Sequence, residues 1–193
     1  MKNIKIYDIT LMAISLAILV ICSKISIPIG AIPLTLQTFS VFLIALILGV
    51  KKSVIVFIIY IIMGLLGIPV FSSGGGFHYI FMPSFGFIIG FLAAAPIIGI
   101  ASKSDKFYLK YITSFIGLLI INIFGVLYML IILNYYNGLN KDIIYVLGVA
   151  VAPFIIKDIF VVILTCIIYS RLQLVIYKRE KKVSLFEQEK IQH

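Results

Sequence analysis

Apolar residues run in long unbroken stretches along this chain, and short clusters rich in proline, glycine, lysine or asparagine separate them. Several stretches reach about 17–25 residues, the length a helix needs to cross ~30 Å of hydrocarbon. Lipid offers backbone N–H and C=O groups no partner, so a spanning segment must be a helix or part of a closed barrel. Barrel strands alternate apolar and polar residues, and these stretches do not. The pattern therefore predicts an all-α integral membrane protein of six transmembrane helices, at about 7–25, 34–50, 53–68, 84–101, 111–135 and 143–174. The last exceeds one span, so it should project from the membrane or break near Pro153.

The interruptions are distinct in kind. Residues 24–33 carry Pro28, Gly30 and Pro33, and 69–83 carry Ser72-Ser73-Gly74-Gly75-Gly76. Residues 102–110 are short and charged, and Asn137-Gly138-Leu139-Asn140 marks a turn. Small residues at four-residue spacing, Ala13 with Ala17 and Gly86 with Gly90, permit close helix approach. A charged tail follows from Lys178, which divides the chain into one membrane domain, 1–176, and a cytoplasmic tail, 177–193. The first stretch follows Lys2 and Lys5 but lacks a small-x-small cleavage site, so it reads as a retained helix.

Composition agrees with lipid as the solvent. Of 193 residues, 63% are apolar and 12% charged, against roughly half and a quarter in soluble domains. The net charge of +9 would suit nucleic acid, but the basic residues lie mostly between apolar runs, so no nucleic-acid partner is expected. Their placement sets topology instead. With the N-terminus inside, Lys2, Lys5, Lys51, Lys52, Lys103, Lys106, Lys110, Arg171, Lys178, Arg179, Lys181, Lys182 and Lys190 all fall inside, and only Lys24 and Lys141 fall outside. The reading is a multi-pass cell-membrane protein with both termini cytoplasmic. Anionic lipid headgroups are the expected neighbours of the basic run from Lys178 to Lys182. Cys22 and Cys166 sit in apolar runs and read as packing residues.

On this topology the irregular segments at 24–33 and 69–83 and the Asn-Gly turn all face outside. The 69–83 segment also carries Phe71, Phe77, Tyr79 and Phe81, which suits a loop folded over a cavity better than a solvated one. Ionisable residues inside a span are costly and usually face the bundle interior. Here these are Lys157 and Asp158, adjacent and therefore about 100° apart on a helix, which predicts that they do not simply face each other. Asp158 suits the N–H groups of a neutral ligand and Lys157 a ligand carboxylate; the alternative is that each pairs within the protein or that Lys157 snorkels outward. Thr35, Gln37 and Thr38 open the second helix, and Asn122 and Tyr128 lie in the fifth. Gln37 and Asn122 serve equally as ligand contacts or as ties between helices. His78 has no second histidine near it, since the other is His193, so no metal site is expected. The chain has no Gly-xxxx-Gly-Lys-Ser/Thr phosphate loop and no nucleophile–base pair. Neither a cofactor nor enzymatic activity is expected, and if the protein moves a solute against a gradient, the energy must come from a partner or an ion.

Three segments carry a family likeness: Ile32-Pro33-Leu34-Thr35-Leu36-Gln37-Thr38; Gly67-Ile68-Pro69-Val70-Phe71-Ser72-Ser73-Gly74-Gly75-Gly76 leading to Pro83-Ser84-Phe85-Gly86-Phe87-Ile88-Ile89-Gly90-Phe91; and Pro153-Phe154-Ile155-Ile156-Lys157-Asp158. In order and spacing the chain resembles the BioY family, the biotin-binding S components of energy-coupling factor (ECF) transporters. The resemblance implies a six-helix subunit that binds extracellular biotin and associates with a transmembrane coupling protein and two ATPase subunits. It implies docking on that protein through Ala13 and Ala17, which match the family's Ala-xxx-Ala pattern. It implies a biotin site drawn from Asp158, Lys157, Gln37, Thr35, Asn122 and Gly75, with Phe71, Tyr79 and Phe85 as apolar walls.

Two departures bear on specificity. Where the family reads Pro-Gly-Asp-x-x-Lys, Asp158 matches, Lys157 replaces the glycine and Val161 replaces the lysine. Positions 157 and 161 share a helix face, so Lys157 is the candidate for the missing cation. The family's Pro-Thr-Gly-Gly-Tyr is altered to Pro83-Ser84-Phe85-Gly86-Phe87. An S component for another vitamin or small heterocycle, and an intramembrane enzyme, remain as rival readings.

Overall fold

Backbone groups in hydrocarbon have only one another to bond with, and the apolar runs accordingly close into helices. The computed structural model describes residues 6–29, 32–104 and 106–191. In chain order these form α1 (Ile6–Lys24), the strands β1 (Ser26–Ile29) and β2 (Ile32–Thr35), and α2 (Gln37–Leu65). A 3-10 turn (Phe77–Phe81), α3 (Phe85–Gly99), α4 (Phe107–Ile131), α5 (Ile143–Ala150) and α6 (Ile155–Ile191) follow. Lys2, Lys5 and Gly30 lie outside the described residues, as do the side chains from Leu174 onward, including the basic run at 178–182.

Two stretches predicted as separate helices are continuous in name only. At Gly49 the backbone takes φ 70° and ψ −177°, a conformation no helix contains. In a straight helix Gln37 and Tyr60 would stand about 35 Å apart. Here the Gln37 amide donates to the Tyr60 hydroxyl at 2.7 Å. The chain therefore doubles back at Gly49 into two antiparallel limbs, 37–48 and 50–65, and the six-helix arrangement is preserved. The sixth segment breaks where Pro153 predicts, and α5 meets α6 at a 51° bend. Beyond it α6 stays helical to Ile191, so the backbone of the charged tail extends the helix.

Two expectations need correction. Residues 24–33 are not a plain break, because β1 and β2 pair antiparallel with Ser26 opposite Thr35 and Ile27 opposite Leu34. The hairpin satisfies backbone groups that the prolines withhold from a helix. The fifth helix begins at Phe107, earlier than predicted, because Lys110 is no loop residue. It is buried, donates to Gln173 and Ser170, and faces the Tyr169 ring 5.2 Å from its centre.

Close helix contact follows from small residues. A Cβ added to Gly90 would lie 2.9 Å from Ile121 Cα, and one added to Gly86 would lie 2.3 Å from Tyr128 Cβ. Only glycine lets α4 come so near α3. The main core gathers Leu19, Phe42, Phe57, Phe91 and Ile98. A second, smaller cluster joins Ile32 of β2 to Met129, Val146 and Phe154. Large apolar side chains elsewhere point outward, as Ile156 does at 81% exposure, and lipid is the solvent that accommodates them.

Polar contacts distinguish the two ends of the bundle. At one end Lys52 pairs with Asp8 at 2.6 Å, and Tyr169 donates to the Ser102 carbonyl. At the other, Lys24 donates to Phe71 O at 2.6 Å, and Lys157 to Thr35 O at 3.2 Å. The first end carries Lys51, Lys52, Lys103, Lys106 and Lys110. The irregular segments lie at the second.

Gly49→Ala is expected to lower stability by about 1–2 kcal/mol, the cost of left-handed backbone for a residue with a Cβ. That Cβ would also lie 2.8 Å from Ser102 Oγ. Thermal unfolding in detergent measures the loss, and an unchanged melting temperature would contradict the sharp reversal at this position.

Candidate functional site

The hairpin, the glycine-rich segment and the α5–α6 bend meet at one cavity. It is lined by Ile32, Pro33, Thr35, Gln37 and Thr38 from β2 and the start of α2, and by Ser72 and Tyr79 from the glycine-rich segment. Ser84, Phe87, Ile88 and Phe91 contribute from α3, Ile121 and Asn122 from α4, and Ala150, Phe154, Lys157 and Asp158 from the α5–α6 bend. Its empty space, open mouth included, is about 590 Å³. It lies between the two apolar clusters, drawing Ile88, Phe91 and Ile121 from one and Ile32, Ala150 and Phe154 from the other.

Three helices begin at this cavity, with Gln37 opening α2, Ser84 preceding α3 and Asp158 in the first turn of α6. Helix N-termini carry partial positive charge and unpaired N–H groups. They therefore favour the Asp158 carboxylate and any acceptor a ligand brings. The Thr35 hydroxyl accepts one of these groups, the Gln37 N–H, at 3.3 Å.

Lys157 and Asp158 do face each other, contrary to the expectation from their helical positions. The flexible lysine stem folds back until Nζ lies 2.8 Å from Asp158 Oδ1. The same ammonium reaches Thr35 O at 3.2 Å and Thr38 Oγ1 at 3.5 Å. Asp158 Oδ1 is nonetheless a buried atom without an aligned hydrogen bond among the described residues. The ammonium 2.8 Å away is its ionic partner. A carboxylate oxygen in that condition retains acceptor capacity toward the cavity. Val161, at the position of the family's lysine, is buried in the main core and does not line the cavity, whereas Lys157 does.

Of the residues singled out from sequence, Asp158, Lys157, Thr35, Gln37, Asn122 and Tyr79 meet at the cavity. Asn122 gives its Nδ2 to Leu118 O within its own helix at 2.9 Å, which leaves its oxygen for the cavity. Phe71, Phe85 and Gly75 do not line it. Phe71 is fully buried among Tyr79, Tyr60 and Phe85, with ring centres 4.5, 5.3 and 6.3 Å away. It packs so tightly on Gly64 that a Cβ there would lie 2.0 Å from its ring. Phe85 turns into the same aromatic group. Gly75 is held against Ile68 O, 2.2 Å from where its Cβ would be, so its role is backbone packing. Phe77 and Phe81 point outward.

Sequence reasoning missed Ser72, Ser84, Phe87, Ile88, Phe91 and Phe154 as cavity residues. Four of these had a usable signal, because Ser84, Phe87, Ile88 and Phe91 share one helical face. Ala13 and Ala17 are both exposed on α1, on the side turned away from the bundle.

Comparison with known proteins adds the following. The model of the BioY family matches residues 1–178. Biotin transporter BioY2 of Lactococcus lactis subsp. cremoris is 36% identical over 172 residues, covering 86% of this chain and 90% of its own length. A Pyrococcus horikoshii protein named as a probable biotin transporter BioY is 39% identical over 170 residues, covering 88% of this chain and 98% of its own. A 2.1 Å crystal structure of the S-component for biotin from an ECF-type ABC transporter has a TM-score of 0.77, covering 90% of this chain and 94% of that one, at 24% identity. At that identity the likeness is one of fold.

Phe71→Ala is expected to destabilise the chain by about 3–5 kcal/mol, the cost of emptying a buried aromatic position. The loss is read from thermal unfolding of ligand-free protein. A melting temperature close to that of the unaltered chain would return Phe71 to the cavity wall.

Proposed function

Because the chain belongs to the BioY family, we propose that it is the membrane S component that binds biotin outside the cell for uptake. The observation that carries this reading is the buried Asp158 carboxylate paired with the Lys157 ammonium at 2.8 Å, set in a cavity with apolar walls of Phe87, Ile88, Phe91 and Phe154. Biotin has matching parts. Its bicyclic ring system and valeryl chain are apolar, its ureido group offers two N–H donors flanking a carbonyl, and its carboxylate is anionic.

Asp158 and Lys157 touch, whereas the two polar ends of biotin are separated by its alkyl chain. The 2.8 Å contact therefore favours both residues acting on one end. An acceptor and a donor side by side suit the neighbouring N–H and C=O of the ureido group. Both contacts are charge-assisted, and such hydrogen bonds are roughly twice as strong as neutral ones. The carboxylate is left for the hydroxyls of Ser72 and Ser84 and the N-terminus of α3.

The cavity end faces outside and the lysine-rich end faces the cytoplasm, with both termini there. The exposed Ala13–Ala17 face of α1 docks on a transmembrane coupling protein, and two partner ATPases supply energy. The tail beyond 176 follows α6 into the cytoplasm, where its basic run meets anionic headgroups.

Titrating the purified chain with biotin and with its neutral carboxamide tests the division of roles. Asp158→Asn is expected to weaken both ligands by about a hundredfold, as loss of a charge-assisted contact implies. Lys157→Ala is expected to weaken both by about tenfold. A Lys157→Ala loss confined to biotin itself would move Lys157 to the carboxylate. Absence of biotin binding by the unaltered chain would end the proposal.

A further inference from the structure

A chain of polar contacts runs away from the cavity and ends at α1. Its far end is the carbonyl of Val70, which accepts from Ser23 Oγ of α1 at 2.6 Å and from the Tyr60 hydroxyl at 3.0 Å. A carbonyl has no proton to give, so the one Tyr60 hydrogen is committed to it. Tyr60 oxygen then acts as acceptor, and the Gln37 group 2.7 Å away must be its amide nitrogen. This turns Gln37 Oε1 the other way, toward Thr35, whose hydroxyl lies 3.4 Å from it. Gln37 lines the cavity, and Tyr60, fully buried, does not.

The geometry points to Tyr60 as the positioning residue that fixes the donor and acceptor pattern of the ligand site. Along the cavity wall stand Asp158 as acceptor, Lys157 as donor and Gln37 Oε1 as acceptor, linked through Thr35. A cyclic urea presents the complement, with N–H, C=O and N–H in a row. Tyr60 makes the third group an acceptor. Without its hydroxyl the Gln37 amide is free to flip and to set an N–H against the ligand's N–H.

This inference rests on the biotin reading, and the experiment separates the two. Biotin and its two mono-N-methyl ureido derivatives are titrated against the purified unaltered chain, Tyr60→Phe, Gln37→Ala and the double variant. Melting temperatures are recorded alongside. Tyr60→Phe is expected to weaken biotin about tenfold, the worth of one to two hydrogen bonds. It should leave the derivative methylated on the Gln37-facing nitrogen within about twofold of its affinity for the unaltered chain, since that ligand already lacks the bond. The double variant should bind biotin within about twofold of Gln37→Ala, because Tyr60 acts through Gln37.

Equal losses for biotin and both derivatives would make Tyr60 a packing residue only, and biotin binding unchanged in Tyr60→Phe would overturn the inference. If Tyr60→Phe fails to fold, Gln37→Ala decides: it should weaken biotin about tenfold and leave one of the two methylated derivatives within about twofold of its affinity for the unaltered chain, and equal losses for biotin and both derivatives would overturn the inference. Failure of the unaltered chain to bind biotin would instead remove the functional reading beneath it.

Discussion

The contact between Lys157 and Asp158 is the interaction around which this bundle is arranged. Neither charge is tolerable alone where lipid surrounds the helix, and removal of one partner leaves the other buried and uncompensated. Their pairing requires the α5–α6 bend, which places both at the start of a helix and deep in the molecule. The pair then requires the hairpin, because the ammonium also needs Thr35 O and Thr38 Oγ1. The hairpin in turn delivers Gln37 to the head of α2, within reach of Tyr60 on the returning limb. Polar groups in a protein solvated by hydrocarbon have few alternatives to one another, so satisfying one pair organises the next.

That economy explains how the two walls of the cavity are held. Val70 and Phe71 lend carbonyls to Ser23 and Lys24 of α1, so the glycine-rich segment is pinned to the first helix as well as to α2. The face of α1 bearing Ala13 and Ala17 belongs to the same helix whose other end grips this segment. The hydrogen bonds from Ser23 and Lys24 thus tie the cavity's glycine-rich wall to the helix that bears the outward Ala13–Ala17 face.

What could be read from the sequence depended on how local its cause was. Helix number and membrane residence follow from apolar length and the absence of alternation, and both are stated by the chain itself. Asp158 was legible because a carboxylate in an apolar run has almost no structural excuse. Lys51-Lys52 between two apolar runs announced a reversal, though not that Gly49 makes it. The β1–β2 hairpin was hidden, since Pro28 and Pro33 look like breakage until a partner strand is known. Aromatic residues were legible as a group but not in direction. Phe71 and Phe85 turn into the core and Phe87 into the cavity, a choice made by Gly64 and by the close approach of α4. Lys110 seemed a loop charge because Tyr169, Ser170 and Gln173, which shelter it, lie some 60 residues on. Tyr60 was invisible for the same reason, its importance arising only when the chain folds back.

The central claim is that biotin occupies a cavity opening to the extracellular face. Ser84, half-buried at the cavity wall before α3, offers a direct test by replacement with cysteine and labelling of intact cells with a membrane-impermeant maleimide. The unsubstituted chain, whose Cys22 and Cys166 are buried, serves as the blank. Labelling from outside that biotin suppresses is the result expected. Labelling that needs permeabilised cells, or that proceeds equally with saturating biotin, would contradict the account.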